Sequence, residues 1–145
     1  MTDPCSERGL TIVRRIQRIG NRLIHQRDDD LKALDLTSNQ SAIILFVARN
    51  PGCQINDVRD HLEVTHQAAC GLVDRMRSKG ILDVRVSDED ARAKRVSLTE
   101  EGRRLHEEIV KVGGGRGMGI LRGMTDEEVD ELCRLLDRIE ENMGR

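Results

Sequence analysis

The feature that most restricts this chain is a change of hydrophobic period at Gly80. Before it, Ala69, Leu72, Val73 and Met76 recur at helical spacing. After it, Ile81-Leu82-Asp83-Val84-Arg85-Val86 and Lys94-Arg95-Val96-Ser97-Leu98 alternate between apolar and polar residues, which reads as two short strands. The polar stretch between them, Ser87 to Ala93, cannot bury itself and reads as a projecting hairpin loop.

Helical patterns flank this switch on both sides. Leu10, Val13, Ile16, Ile19, Leu23 and Ile24 form a stripe from Leu10 to about Leu34, with Arg14, Arg15, Arg18, Arg22 and Arg27 around it. A second helix begins near Thr37 or Ser38, either of which can cap it, and stops at Asn50-Pro51-Gly52. Ile55 to Leu62 gives a third, and Thr65 is the expected cap of a fourth over Ala68 to Lys79, stopped by Gly80. Beyond the hairpin, Thr99 with Glu100 and Glu101 opens a further helix, and Thr125-Asp-Glu-Glu opens the last, with a stripe of Val129, Leu132, Leu135, Leu136 and Ile139. Between those two lies Gly113-Gly-Gly-Arg-Gly-Met-Gly119. Five glycines in seven residues are expected to break the helix into a loop between two shorter ones; the sharper alternative is a hinge.

Composition agrees with a helical core. Phe46 is the only aromatic among 145 residues, leaving Ile, Leu, Val, Met and Ala to pack helix on helix. The chain is charge-rich, with no apolar run long enough to span a membrane. Its first residues lack the basic start and apolar stretch of a secretory signal, so a cytoplasmic protein is expected. Cys5, Cys53, Cys70 and Cys133 form no CxxC pair and read as reduced thiols, Cys53 and Cys70 as small structural residues. The net charge of −2 does not favour nucleic acid, but its distribution does: Arg92, Lys94 and Arg95 cluster at the hairpin. Eight acids against two arginines crowd Thr125 to Glu141.

Two helices joined by a tight turn can place the second in a major groove about 12 Å wide. A hairpin with cations at its tip can reach the adjacent minor groove. Thr37-Ser-Asn-Gln, Val64-Thr-His-Gln-Ala-Ala, Leu72-Val-Asp-Arg-Met-Arg-Ser-Lys-Gly-Ile-Leu and Asp88-Glu-Asp-Ala-Arg-Ala-Lys-Arg-Val-Ser-Leu-Thr-Glu-Glu-Gly102 resemble the MarR family of bacterial transcriptional regulators. The resemblance implies a mainly α fold with a small β-hairpin. It sets a winged helix-turn-helix over residues 36–100 on a helical dimerisation platform built from 8–35 and 101–145. It further implies a homodimeric repressor of double-stranded DNA, released from a pseudo-palindromic operator by a small-molecule effector, in the family often an aromatic acid or phenolic.

By the same resemblance Thr65, His66 and Gln67 meet bases and phosphates, and Arg75 supports a phosphate contact. Arg92 enters the minor groove, held by Asp90, while Lys94 and Arg95 add backbone contacts. Thr65 is equally readable as a plain cap, and the Arg-Ala-Lys-Arg cluster as a solvated face. Two departures stand out: the glycine run, where the family usually has one long helix, and Cys70-Gly71, where it often has Thr and a larger polar or basic residue. Gly71 removes a side chain from the reading face, or lets the backbone approach DNA.

For an effector, Arg14, Arg15, Arg18 and Arg22 can pair with a carboxylate, or serve as a solvated face or interface salt bridges. Ser41 stands where many relatives carry an aromatic. A second class is a thiol switch: Cys5, placed before the first helix, and Cys133 in the last can bridge subunits of such a dimer, although the tyrosines of peroxide-sensing relatives are missing. A third reading keeps the winged helix for protein contacts alone. Nothing points to an enzyme, a cofactor or a metal: His25, His61, His66 and His106 are scattered, and the glycine run follows no strand.

Overall fold

The computed structural model describes residues 4–144. Residues 1–3, part of the start read above for a secretory signal, and residue 145 lie outside the described residues. In chain order the elements are α1 (Pro4–Ala33), α2 (Ser38–Arg49), β1 (Cys53–Gln54), α3 (Ile55–Leu62), α4 (His66–Ser78), β2 (Leu82–Val86), β3 (Lys94–Leu98), α5 (Glu100–Ile120) and α6 (Asp126–Met143).

Local chemistry sets most of these boundaries. Thr37 caps α2 in a reciprocal box: its hydroxyl accepts from the Gln40 amide at 3.2 Å, and its own amide donates to Gln40 Oε1 at 3.0 Å. Thr125 and Glu128 repeat the arrangement at α6. Thr65 Oγ1 accepts from the Ala68 amide, so α4 starts at His66, two residues before the expected Ala68. The first helix also starts earlier than its apolar stripe suggests. Its opening turns from Pro4 are polar, and a proline suits a first helical position. Cys5 therefore lies inside α1 and not before it.

The helix-turn-helix pivots on Glu63, whose φ of 54° places it in the left-handed region at the end of α3. The sheet holds one strand more than the alternation announced. Cys53–Gln54 pairs antiparallel with β3, Cys53 opposite Val96, giving the order β1-β3-β2. Two residues are too short to show a period, which is why this strand was not visible in the pattern. The hairpin proper pairs Leu82 with Leu98 through to Val86 with Lys94.

The glycine run forms neither loop nor break: α5 continues through Gly113 to Gly119 and ends at Ile120. Glycine weakens a helix without forbidding it. The run holds no proline and no Ser, Asn or Asp to offer the backbone another partner, so the helical ladder remains its best hydrogen-bonding solution. Termination comes later, where Gly123 adopts φ 84°.

The chain divides into two compact units, one up to Val110 and one from Lys111. The core of the first is aliphatic: Ile43, Ile44 and Val47 of α2 and Val58 of α3 meet Val73 and Met76 of α4, closed by Leu82 and Val96 of the sheet. Phe46 stacks on His61 with ring centroids 4.4 Å apart. Burying each of these aliphatic side chains contributes about 1.5–3 kcal/mol before entropy is counted. No helix among the described residues is long and apolar enough to cross a membrane.

Candidate nucleic-acid interface

The exposed start of α4 and the hairpin loop border a common cleft. Thr65, His66 and Gln67 are exposed on the first turn of α4, and Val73, Met76 and Ala69 hold the opposite face of that helix in the core. The helix can therefore present its N-terminal residues without losing its anchorage. A cleft of about 190 Å³ separates it from the hairpin, lined by His66 and Cys70 on one side and by Arg92 and Lys94 on the other. Gln54 and Asn56, where β1 passes into α3, complete the lining.

The hairpin loop is shaped from within. The Asp90 carboxylate accepts from the backbone N–H of Arg92 at 2.9 Å, and the Asp90 carbonyl accepts from Ala93 at 3.0 Å. The Ser87 amide donates to the Ala93 carbonyl at 2.8 Å, closing the base of the loop. Asp90 thus fixes the backbone that carries Arg92, and the Arg92 side chain is exposed.

The other cations serve different surfaces. Alternation along β3 separates Lys94, which lines the cleft, from Arg95, whose guanidinium donates to the Gly52 carbonyl at 3.3 Å. Arg75 lies one turn beyond Gly71 on α4, and its Nε donates to the Gly71 carbonyl at 3.2 Å. A Cβ at position 71 would come to 4.0 Å from the Arg75 guanidinium, so the arginine runs along the strip that glycine leaves bare. The structure brings His66, Arg92 and Lys94 together in one lining, leaves Thr65 and Gln67 exposed on the same helix turn but outside that lining, and ties the Arg95 guanidinium to the Gly52 carbonyl.

Sequence reasoning missed Gln54 and Asn56, which lie where β1 passes into α3, and it did not place Cys70 at the cleft. That side chain is half-buried, lines the cleft, and has its sulfur 3.4 Å from His66 Nε2. The spacing of four residues on one helix was the available signal. Cys53 does fit the structural description. It is buried, and burial together with the nearby Asp57 carboxylate pushes its thiol up from the ordinary value.

The remaining candidates lie apart from this cleft. Arg14, Arg18 and Arg22 are exposed on α1, while Ser41 is 5% exposed in α2 and packed into the interior. Cys5 on α1 and Cys133 on α6 are exposed thiols. No cluster of three or more metal-ligating side chains occurs among the described residues.

Comparison with known proteins places this geometry. Residues 34–93 match the model of the MarR family. The chain is 24% identical over 134 residues to the uncharacterized HTH-type transcriptional regulator YybA of Bacillus subtilis, covering 92% of this chain and 89% of the relative. Among solved structures, a MarR family protein from Bacillus stearothermophilus superposes with a TM-score of 0.82 at 20% identity, covering 96% of this chain and 98% of its own. A point mutant of S. aureus MepR bound to an oligodeoxyribonucleotide superposes with a TM-score of 0.69 at 19% identity, covering 92% and 98%. The winged helix-turn-helix built around α3, α4 and the β2–β3 hairpin has the fold of these MarR family structures, and the stretch of the chain that carries most of it is similar to the MarR family.

Proposed function

We propose that the chain is a dimeric DNA-binding repressor that reads a pseudo-palindromic operator with α4 in the major groove and the β2–β3 loop in the minor groove. The observation that carries this reading is the convergence of His66 on α4 with Arg92 and Lys94 of the hairpin on one exposed cleft. A helix end and a cationic loop on one surface are the parts that a major groove and its neighbouring minor groove can receive. The MepR mutant of the same fold is bound to an oligodeoxyribonucleotide.

Within this reading Thr65 and Gln67 contact bases or phosphates beside His66. Arg75, laid along the Gly71 strip, meets a phosphate. Arg92 enters the minor groove from the loop that Asp90 shapes, and Lys94 adds a backbone contact. Arg95 contributes mainly by tying β3 to the α2–β1 turn. The exposed apolar residues of α1 and of α6 are the surfaces on which a second copy docks. Arg14, Arg18 and Arg22 recur every four residues along α1 and so share a face suited to the carboxylate of an effector that releases DNA. The site of action is the cytoplasm.

The test is fluorescence anisotropy on duplexes tiling the upstream region of the protein's own coding sequence, over a range of salt. Selective binding is expected, with a steep salt slope. Arg92→Ala is expected to flatten that slope by about 0.9 for each phosphate it leaves without a cation, close to 2 for a dimer. Binding that ignores salt, or an Arg92→Ala protein indistinguishable from the parent, would sink the reading of the hairpin.

A further inference from the structure

We propose that Cys70, with His66 as its proton acceptor, is a modification site for small anionic disulfides. The consequence for DNA rests on the function proposed above; the chemistry does not. Cys70 Sγ stands 3.4 Å from His66 Nε2, one turn away on the same helix, within hydrogen-bonding reach of a sulfur. Both side chains line the cleft that also receives Arg92 and Lys94, and the rest of that lining carries no charge. A partly exposed thiol beside an imidazole and two cations has the surroundings in which cysteines react. The cleft holds only a small group, and its charge selects a negative one.

The step balances without any further reagent. His66 Nε2 takes the thiol proton, and the Cys70 sulfur attacks one sulfur of a disulfide R–S–S–R. The S–S bond breaks, and R–S⁻ leaves with the bonding pair and recovers the proton as R–SH. Cys70 is left as the mixed disulfide Cys70–S–S–R, oxidised by the half of the reagent that has been reduced. The adduct occupies the space between α4 and the hairpin and puts its negative charge beside Arg92. Both effects oppose a phosphate backbone in the same place.

The full-length protein is treated with 5,5′-dithiobis(2-nitrobenzoate), an anionic disulfide, and with cystamine, a cationic one; peptide mass spectrometry follows each cysteine. Cys70 is expected to label roughly tenfold or more faster than Cys5 and Cys133 with the anionic reagent. The preference over cystamine should collapse in 1 M salt and in Arg92→Ala. His66→Gln is expected to slow Cys70, and Cys70→Ser to abolish the fast phase. Labelled protein should lose roughly tenfold or more in affinity for a duplex, recovered with dithiothreitol, while Cys70→Ser binding ignores the reagent. Labelling of Cys5 or Cys133 at the same rate, indifference to reagent charge, or unchanged DNA binding by protein labelled at Cys70 would each overturn the proposal. If untreated protein binds no duplex while Cys70 keeps its selective labelling, the repressor reading falls and the modification site stands.

Discussion

A methyl group added at Gly102 would collide with the carbonyl oxygen of Ile81 and come to 3.2 Å from both Cβ and Cδ2 of Leu98. The approach is close because Thr99 binds α5 to the start of the hairpin. The Thr99 amide donates to the Ile81 carbonyl at 3.1 Å, and its hydroxyl lies 2.5 Å from the Gly80 carbonyl while accepting from the Gly102 amide. The obstacle is backbone and cannot swing aside. Gly102→Ala should therefore destabilise by about 1–3 kcal/mol, read as a lower midpoint in chemical denaturation. An unchanged midpoint would mean that α5 can slide off the hairpin at no cost. Cys53 makes a prediction of a different kind. Burial and the Asp57 carboxylate hold its thiol above its ordinary value in the folded protein, so the unfolded chain ionises first as pH rises. The stability this contributes is full below that value and is lost as pH climbs through the raised one. Stability should fall more steeply above pH 9 in the parent than in Cys53→Ala, whatever their offset at neutral pH. Parallel curves would count against a buried neutral thiol.

At the scale of elements, whatever had a period or a cap was legible. Thr37, Thr65, Thr99 and Thr125 each marked a helix start, because a side-chain oxygen bonded to the third amide of a helix needs only local sequence. The hairpin and its cationic loop were legible from alternation alone. The strand Cys53–Gln54 was not, since two residues have no period and their pairing with β3 is tertiary. The cleft was half legible for the same reason. His66, Arg92 and Lys94 were visible, whereas Gln54 and Asn56 lie where that strand passes into α3. Composition misled at the glycines of α5, where the helix persists despite a summed propensity cost of about 1 kcal/mol for each glycine relative to alanine. A Cβ at Gly113, Gly114 or Gly115 meets nothing within 4 Å. Gly114→Ala should therefore stabilise by about 0.5–1 kcal/mol, through helix propensity and a less flexible unfolded chain. Thermal denaturation at fixed protein concentration checks it. A lower midpoint would show that a partner molecule packs directly on the glycine surface.

Seen as a whole molecule, the chain leaves a great deal of aliphatic surface exposed. Val13, Ile16 and Ile19 on α1 are 43–56% exposed, and Leu135 and Leu136 on α6 are 43% and 45% exposed. These are the stripes that the sequence pattern assigns to the buried sides of their helices. An amphipathic helix with its apolar side open gains about 25 cal/mol for each Å² that a second copy covers. In the dimer proposed above, two recognition helices would act on one duplex. A net charge of −2 gives little general attraction to DNA, so on the proposed reading a single lobe would rely on a few local cations such as Arg92 and Lys94. Joining two lobes makes the second binding event intramolecular, which multiplies affinity by about 10²–10⁴ while each lobe touches DNA just as before. Leu135→Glu, paired with Ile16→Glu as an independent disruption on a different helix, should convert the protein to a monomer in sedimentation velocity. Each should weaken DNA binding by a factor in that range while leaving far-UV circular dichroism near the parent's. Two outcomes would contradict this. A protein that stays dimeric with both charges in place would move the interface elsewhere, and a monomer that binds as tightly as the parent would mean that one lobe carries all the affinity.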